Sequence, residues 1–323
     1  MLKTLFGEKD FSNIKTQGIK YAGSKLKIIP YILEIIKDLE IQSVLDGFSG
    51  STRVSQAFAQ AGYDVTSSDI AYWSEVCAKC FLLHNKDKEY YQKILDQLNS
   101  LKGYNGWFTA HYGGNEDMKV KMPFQKKNTK KLDAIRDKIE KLKLNDIDKA
   151  VVLTSLLFAL DSVDSTLGHF ASYLSGWSDR SYKDLILKLP NLQKTKGNHK
   201  IIREDIFEVI KNNSFDLAYF DPPYGSNNEK MPPSRIRYNS YYHIWTTVVK
   251  HDKPILFGKV NRREDSRDTI SASVFEEFRR NENGSFVAME AIRTLIQNTR
   301  ARYILLSYSS GGESNQRRAY MYS

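Results

Sequence analysis

Cysteine is scarce in this 323-residue sequence. The two cysteines, Cys77 and Cys80, form a single C-x-x-C pair, whereas a four-thiolate zinc site or a disulfide framework needs further cysteines. We therefore expect thiols buried on a helix, and such low usage fits a reducing cytosol. The six histidines are scattered along the chain, so the sequence predicts no metal site.

Long apolar segments are also missing. The longest run, around Ala150 to Leu160, is interrupted by Thr154 and Ser155 and is shorter than the roughly 20 residues that span a bilayer. The first residues, Met1 to Glu8, lack the apolar core of a secretion signal. These absences predict no membrane partner and a soluble, intracellular protein.

Positive charge and apolar residues are plentiful. Lys and Arg number 48 against 38 Asp and Glu, which gives a net charge of +10. This excess favours an anionic partner, nucleic acid first, although many basic proteins bind no nucleic acid. The 41% hydrophobic content and the chain length allow a sizeable core and roughly two domains.

One stretch, Phe215-Asp-Leu-Ala-Tyr-Phe-Asp-Pro-Pro-Tyr-Gly225, organises the rest of the chain. It predicts a buried strand over 215–220 that stops at Asp221, because the following prolines cannot donate ladder hydrogen bonds. Ligands bind at the carboxyl ends of strands in open α/β sheets, so the motif is expected at a site. A turn with Tyr224 as ordinary packing would explain the prolines, but it requires neither the Asp nor the Tyr.

Methylation of an exocyclic amino group needs this combination of groups. The lone pair of adenine N6 is delocalised into the ring and is a poor nucleophile. The Asp221 carboxylate and the Pro222 carbonyl would accept its two hydrogens and aim the lone pair at a methyl group. Pro223 fixes the backbone, and Tyr224 offers a flat face for a flipped base. We predict that these four residues are catalytic.

A nucleotide-type βαβ unit is predicted near the amino terminus. Val44 to Asp46 is a predicted strand, Gly47 to Gly50 a tight turn, and Tyr63 to Ser68 a second strand closed by Asp69. Asp69 comes about twenty positions after the turn, where such folds place the acid that binds ribose hydroxyls. A polar loop residue is the alternative. Thr52 stands where a second glycine is expected, which leaves the geometry of the turn open.

Lys20-Tyr-Ala-Gly23, the glycine turn and Asp221-Pro-Pro-Tyr224 occur in this order, and the chain resembles the Dam-like family of adenine-N6 DNA methyltransferases. The resemblance implies a Rossmann-like α/β methyltransferase fold, S-adenosylmethionine as methyl donor and double-stranded DNA as partner. The implied reaction is site-specific methylation of a flipped adenine in the bacterial cytoplasm, in restriction–modification or epigenetic marking. A cognate restriction endonuclease is a further candidate partner. The recognition sequence and the oligomeric state cannot be read from the sequence.

The resemblance also assigns residues to the methionine end of the donor. In the amino-terminal motif they are Tyr21, Ala22, Gly23 and Lys25. A turn that leads into a helix over Leu26 to Leu39, with solvated lysines, is the alternative.

Three further residues are assigned to the donor's amino acid moiety by the same resemblance, with Asp46 as the partner of its ammonium beside Phe48 and Gly50. A charge interacting with a helix dipole is the alternative for Asp46. Asp205 resembles the residue that binds the donor adenine, but it is also a good N-cap for the following helix.

Residues 85 to 199 interrupt the nucleotide fold and are too long for a simple crossover. We expect an inserted, mainly helical target-recognition subdomain, with 18–84 and 200–323 forming the catalytic domain. Two more strands are predicted over Pro254 to Gly258 and Tyr303 to Ser307. The insertion contains a lysine-rich helix. It also contains a cluster that combines groups for phosphate and base contacts, Trp177, Arg180, Tyr182 and Lys183. A structural or oligomerisation insert is the alternative.

Other functions share parts of this pattern. An RNA adenine-N6 methyltransferase would carry the same catalytic motif. Related side-chain amide methylases have Asn rather than Asp before the two prolines, which disfavours a protein substrate. A catalytically decayed DNA-binding protein would bind the donor without turnover.

Overall fold

The structure is a computed structural model that describes residues 11, 13–117, 121–223, 237–277, 279–308 and 318–322. The strands in these ranges are β1 (Ser43–Asp46), β2 (Asp64–Ser68), β3 (Gly113–Gly114), β4 (Phe124–Gln125), β5 (Lys200–Ile202), β6 (Phe215–Phe220), β7 (Leu256–Phe257), β8 (Arg262–Arg263), β9 (Ala301–Tyr308) and β10 (Arg318–Tyr322).

The helices in the same ranges are α1 (Ile29–Ile36), α2 (Arg53–Gln60), α3 (Tyr72–Leu83), α4 (Lys88–Asn99), α5 (Trp107–Tyr112), α6 (Lys126–Lys141), α7 (Asp146–Val163), α8 (Ile206–Asn212), α9 (Tyr238–Tyr241), α10 (His243–Lys250), α11 (Asp268–Ser271) and α12 (Val287–Asn298). Short 3₁₀ helices cover Asp179–Tyr182, Glu264–Ser266 and Val274–Glu276. No helix in this part of the chain is long and apolar enough to cross a membrane.

A six-stranded sheet in the order β10-β9-β6-β1-β2-β5 forms the centre. Its strands run parallel except β10, which pairs antiparallel with β9. The strand order reverses at β1, so β2 lies on one side and β6 on the other. This arrangement confirms the predicted Rossmann-like α/β fold, and it places a ligand crevice at the carboxyl ends of β1, β2 and β6.

Side chains of the central strands alternate between two apolar layers, as the two-residue repeat of a strand requires. On β6, Leu217 and Tyr219 pack with α1 and α2, whereas Ala218 and Phe220 pack with α8 and α12. Both faces of the sheet are therefore buried at this strand, which explains the apolar run from Leu217 to Phe220 in β6.

Two predicted elements differ in the structure. The first helix begins at Ile29, and Leu26 lies before it with 51% of its surface exposed. A strand does form within the predicted Pro254 to Gly258, but it is shorter, Leu256–Phe257, and it pairs with β8 in a small hairpin instead of joining the central sheet. Positive φ angles at His251 and Lys253 turn the chain before it can join the sheet, and β9 pairs with β6 instead. The strand predicted over Tyr303 to Ser307 is confirmed within β9.

Helices from residues 85 to 199 share one apolar core with the sheet's own helices. Leu156 and Leu160 of α7 belong to the same cluster as Trp73 and Cys77 of α3 and Trp245 of α10. Cys77 and Cys80 are buried free thiols on α3, as predicted, and burial raises the pKa of Cys77 to about 12.

The lysine-rich helix α6 is only partly a solvated surface. Its polar residues Asp133 and Arg136 are buried. The Asp133 carboxylate accepts hydrogen bonds from backbone N–H groups at the start of α5, including that of Phe108 at 2.8 Å. This helix therefore holds α5 in place as well as displaying charge.

Candidate active site

The carboxyl ends of four parallel strands bring predicted site residues to one edge of the sheet. Asp46 ends β1, while Asp69 and Asp221 come directly after β2 and β6, and Asp205 follows β5. A cavity of about 420 Å³ opens at this edge. Six of the predicted residues line it: Tyr21, Phe48, Asp69, Asp205, Asp221 and Pro223.

Of the other predicted residues, those that the structure describes lie outside the cavity wall. Pro222 is buried beside Asp221. Gly50 and Lys25 each contact a lining residue, as described below. Tyr224 lies outside the described residues.

Lys25 contacts the predicted catalytic carboxylate. Its Nζ lies 2.5 Å from Asp221 Oδ2 and donates a 2.9 Å hydrogen bond to the Gly23 carbonyl. The two ion-pair partners are only 5% and 14% exposed, so the interaction is little screened by water. The alternative of a solvated lysine is wrong here, because Gly23, at a φ of +89°, folds the turn back and brings Lys25 to the catalytic motif.

Asp46 is a buried carboxyl, and one of its oxygens has no hydrogen-bond partner among the described residues. Oδ2 accepts a 2.6 Å hydrogen bond from Ser55 Oγ, while Oδ1 has no hydrogen-bond partner among the described residues. Burial raises the pKa of Asp46 to about 7, and the nearby carboxylates of Asp221 and Asp69 act in the same direction. An unsatisfied buried acceptor is costly, so this oxygen fits a cationic ligand group.

Asp69 holds the glycine turn and also faces the cavity. Its Oδ2 accepts from the Gly50 N–H at 2.7 Å and its Oδ1 from the Ala71 N–H at 2.8 Å. Burial raises the pKa of Asp69, and these backbone hydrogen bonds oppose the rise. Each carboxylate oxygen can accept a second hydrogen bond, so binding of a ligand hydroxyl remains possible.

The glycine turn keeps its left-handed geometry despite the departure at Thr52. Gly50 has a φ of +46° and Thr52 a φ of +62°. A Cβ on Gly50 would lie 3.1 Å from the Tyr21 ring, so the glycine lets this ring pack against the turn. Thr52 is the N-cap of α2, but its side chain makes no capping hydrogen bond.

Aromatic rings surround Tyr21. Its ring stacks on Tyr242 at 4.8 Å and contacts Trp73 at 5.6 Å and Tyr238 at 5.4 Å. The hydroxyls of Tyr242 and Tyr238 hydrogen-bond the backbone N–H and carbonyl of Ala22. The amino-terminal motif is thereby fixed to α9 and α10, which follow the catalytic motif in sequence.

Asp205 caps a helix and also lines the cavity. Its Oδ1 accepts a 2.9 Å hydrogen bond from the Phe207 N–H at the start of α8. Beside it, the ring of Phe207 stacks on Phe275 at 5.7 Å. These residues give this end of the cavity an apolar wall next to a carboxylate.

Sequence reasoning missed the wall formed by residues 270 to 276. This segment lines the cavity opposite β1 and β2, and the Asn239 side chain donates to the Ser271 carbonyl at 3.1 Å. Ser273 and Glu276 form a capping box, whose S-x-x-E pattern is visible in the sequence. That pattern marks the start of a helical turn but contains no information about its place at the cavity.

The predicted recognition cluster is divided between internal and exposed residues. The Trp177 indole N–H donates to two backbone carbonyls, and Arg180 pairs with the buried Asp164 at 2.7 Å. Tyr182 and Lys183 are exposed. The backbone carbonyls of these two accept hydrogen bonds from Lys127 and Asn128. Their side chains make no such bond among the described residues and are available for an outside partner.

Residues 21–270 match the family model described as D12 class N6 adenine-specific DNA methyltransferase. Modification methylase StsI of Streptococcus sanguinis is 27% identical over 91% of this chain and 44% of its own length. Modification methylase LlaI of Lactococcus lactis subsp. lactis is 26% identical over 90% of this chain and 46% of its own length. Type II methyltransferase M.NlaIII of Neisseria lactamica is 25% identical over 91% of this chain and 84% of its own length.

The chain thus spans less than half the length of the first two relatives, but most of the third. The family match itself covers the amino-terminal motif, the glycine turn, the intervening helices and the catalytic motif. The chain belongs to the D12 class of N6 adenine-specific DNA methyltransferases.

Proposed function

We propose that this chain methylates the N6 amino group of a flipped adenine at a specific sequence in duplex DNA, with S-adenosylmethionine as the donor. The observation that carries this proposal is the cavity itself. It is lined by both the Asp221 carboxylate, which pairs with Lys25, and Asp69 at the end of β2. Asp46, outside the wall, has an oxygen with no hydrogen-bond partner among the described residues. A methyl-acceptor site and a donor site thereby share one opening.

Donor binding uses residues along the ends of β1, β2 and β5. The Asp46 oxygen without a partner suits the ammonium of the donor's amino acid, and Asp69 suits its ribose hydroxyls. Asp205 and the Phe207 ring suit its adenine. When bound, S-adenosylmethionine supplies a methyl group on a positively charged sulfur, which leaves as a neutral thioether while the acceptor nitrogen loses one proton.

The catalytic motif activates the acceptor nitrogen. The Asp221 carboxylate and the Pro222 carbonyl accept the two N6 hydrogens and orient the lone pair. Lys25 keeps the Asp221 side chain in one position and compensates its charge before the base arrives. Tyr224, outside the described residues, provides the stacking face for the base.

Residues 85 to 199 serve target recognition in this proposal, with 18–84 and 200–323 forming the catalytic part. A cavity that holds one adenine cannot read its neighbours, so recognition requires another surface. The basic net charge of +10 suits the DNA backbone. The names of the relatives as modification and type II methylases suggest a restriction–modification setting, in which a cognate endonuclease would recognise the same sequence.

Expression in a host that lacks DNA adenine methylation tests the proposal. Sequencing that detects N6-methyladenine should reveal methylation at one short sequence throughout the genome, and none with an empty vector. Methylated RNA with unmodified DNA would contradict the DNA assignment. An unmodified genome, together with measurable donor binding by the purified protein, would favour a decayed enzyme.

A further inference from the structure

An exposed leucine lies on a braced loop beside the candidate active site. Leu167 is 74% exposed, the highest value among the large apolar side chains in the described ranges. Isolated exposed leucines are common on protein surfaces and need no explanation by themselves. The surroundings of this one, the loop of residues 164–170, distinguish it.

The loop is braced by a buried carboxylate. Asp164, whose side chain is 1% exposed, pairs with Lys20 Nζ at 2.7 Å and with Arg180 Nε at 2.7 Å. Arg180 Nη2 also donates to the Thr166 carbonyl at 2.6 Å. A carboxylate buried with two cations fixes the backbone on the amino-terminal side of Leu167.

The other side of the tip is equally constrained. Gly168 has a φ of +95°, a conformation that other residues rarely adopt, and its N–H donates to Thr166 Oγ1 at 3.0 Å. His169 stacks on the Tyr241 ring at 4.3 Å, and the Phe170 N–H donates to the Tyr241 carbonyl at 2.8 Å. Leu167 is therefore exposed at the tip of a turn that is held from both sides.

The two anchors of this loop belong to elements that also form the cavity wall. Lys20 directly precedes Tyr21, and Tyr241 ends the helix α9 that begins with Tyr238. Both Tyr21 and Tyr238 line the cavity that contains Asp221. The loop is thus anchored to two segments that carry residues of the cavity wall.

We propose that Leu167 is the wedge that enters the duplex where the target adenine leaves the stack. This inference rests on the proposed function, since an adenine inside a duplex must be extruded before its N6 can react. Extrusion costs a few kcal/mol of stacking and pairing, and apolar side chains inserted between base steps stabilise opened DNA. A leucine on a fixed turn suits this role because it loses little conformational entropy on insertion.

The placement also gives Arg180 a different role from the one its sequence context predicts. The residue holds the wedge loop through Asp164 and Thr166 and need not contact DNA itself. We therefore regard Arg180 as a positioning residue for Leu167. Tyr182 and Lys183 remain available for contacts with the duplex.

The test compares Leu167→Ala with Ile255→Ala, a control in which an aliphatic residue of similar exposure, 73%, is truncated on the β7–β8 hairpin. Single-turnover methylation is measured on the duplex identified by genome mapping, with the target adenine paired to thymine or facing an abasic site. Fluorescence of 2-aminopurine at the target position reports extrusion directly.

Leu167→Ala should slow methylation of the paired duplex by about tenfold or more and lower the 2-aminopurine signal, because unassisted extrusion costs a few kcal/mol. The abasic duplex should restore its rate to near that of the wild type, and Leu167→Phe should keep the rate because it retains an apolar wedge. Ile255→Ala should behave as the wild type on both duplexes, and donor affinity should be unchanged throughout.

A wild-type rate for Leu167→Ala on paired DNA would overturn the wedge. So would an equal loss on both duplexes, since that would place the defect outside extrusion. In either case methylation by the wild-type protein would leave the proposed function intact. Failure of the wild type on every duplex would instead reject the proposed function, and the wedge with it.

Discussion

Three carboxyl groups at the ends of neighbouring strands have different surroundings. Asp221 has an ion pair with Lys25, and Asp69 has two backbone N–H donors. Asp46 has one hydroxyl donor, from Ser55, and an oxygen without a partner in the described structure. Desolvation is thus least compensated at Asp46, which explains its raised pKa of about 7.

Lys25 is the residue whose importance the sequence least reveals, and it leads to a first prediction. Lys25→Met removes the ammonium but keeps the approximate length of the side chain, so the Asp221 carboxylate, only 14% exposed, loses this ion pair. We expect the free energy of unfolding to fall by about 3 kcal/mol, as when one partner of a buried ion pair is removed. Methyl transfer should slow in parallel, measured under single-turnover conditions with saturating donor.

Lys27, an exposed lysine two positions further on, provides the matched control. Lys27→Met should change stability by less than about 0.5 kcal/mol, as is usual for exposed sites. Equal rates for Lys25→Met and the wild type would show that the ion pair has no part in catalysis.

The Asp46 carboxyl gives a prediction about pH. If its ionised form binds the donor ammonium, donor affinity should weaken as the pH falls below about 7, by up to about tenfold per pH unit. Asp46→Asn should bind the donor more weakly and without this pH dependence. Calorimetric titration between about pH 5.5 and 7.5 measures both, below the range in which an α-amino group loses its proton.

The same group affects stability with the opposite sign. Because the folded state raises the pKa of Asp46, it favours the protonated form, and the associated stabilisation is present at acid pH. It is lost as the pH rises through about 7.

For the donor-affinity prediction, an affinity that is independent of pH in the wild type would show that the ammonium binds elsewhere.

At the scale of elements, residues with strong local signals were predictable. The β6 strand was predicted at 215–220, where it occurs, because an apolar run ends there at two prolines. The β7 segment is also apolar, but it pairs with β8 in a hairpin. The place beside β6 in the sheet is taken by β9, which is distant in sequence. Local pattern indicates that a strand forms, whereas tertiary packing determines its partner.

In the candidate site, too, local sequence pattern predicted some features, and others depend on tertiary contacts. Asp69 and Asp221 follow predicted strands, and parallel pairing brings them to one edge. The contact of Lys25 with Asp221 joins residues far apart in sequence, through a turn whose course only the folded chain reveals. The wall at residues 270–276 was missed for the same reason.

The glycine turn between β1 and α2 permits an element-scale prediction with an internal control. In Gly50→Ala, the alanine must adopt the left-handed backbone that Gly50 has, and its Cβ would lie 3.1 Å from the Tyr21 ring. Gly62→Ala has the same backbone problem at a φ of +93°, but nothing lies within 4 Å of its Cβ. Each should lower the free energy of unfolding by about 1–2 kcal/mol, measured by denaturant titration.

Donor affinity should separate the two variants. Gly50→Ala displaces Tyr21 or the turn that Asp69 holds, so S-adenosylmethionine should bind more weakly. Gly62→Ala should bind the donor as the wild type does. Equal donor affinities for both variants would show that the glycine turn does not contribute to donor binding.

At the scale of the whole molecule, the sheet and the helices of residues 85 to 199 share a continuous apolar core. Trp73 of α3 belongs to this core and also lines the cavity. Elements proposed to recognise DNA are therefore packed directly against the residues proposed to bind the donor. This packing fixes the loop of Leu167 and the catalytic carboxylate relative to each other, which duplex recognition and base extrusion both require.

The most direct test of the central claim is a paired measurement on Asp221→Ala and the wild type, of donor affinity and of single-turnover methyl transfer to the mapped duplex. The account predicts donor affinity within about threefold of the wild type, because Asp221 acts on the acceptor nitrogen, and transfer reduced by at least about a hundredfold. Transfer by Asp221→Ala within a few-fold of the wild-type rate would contradict the account.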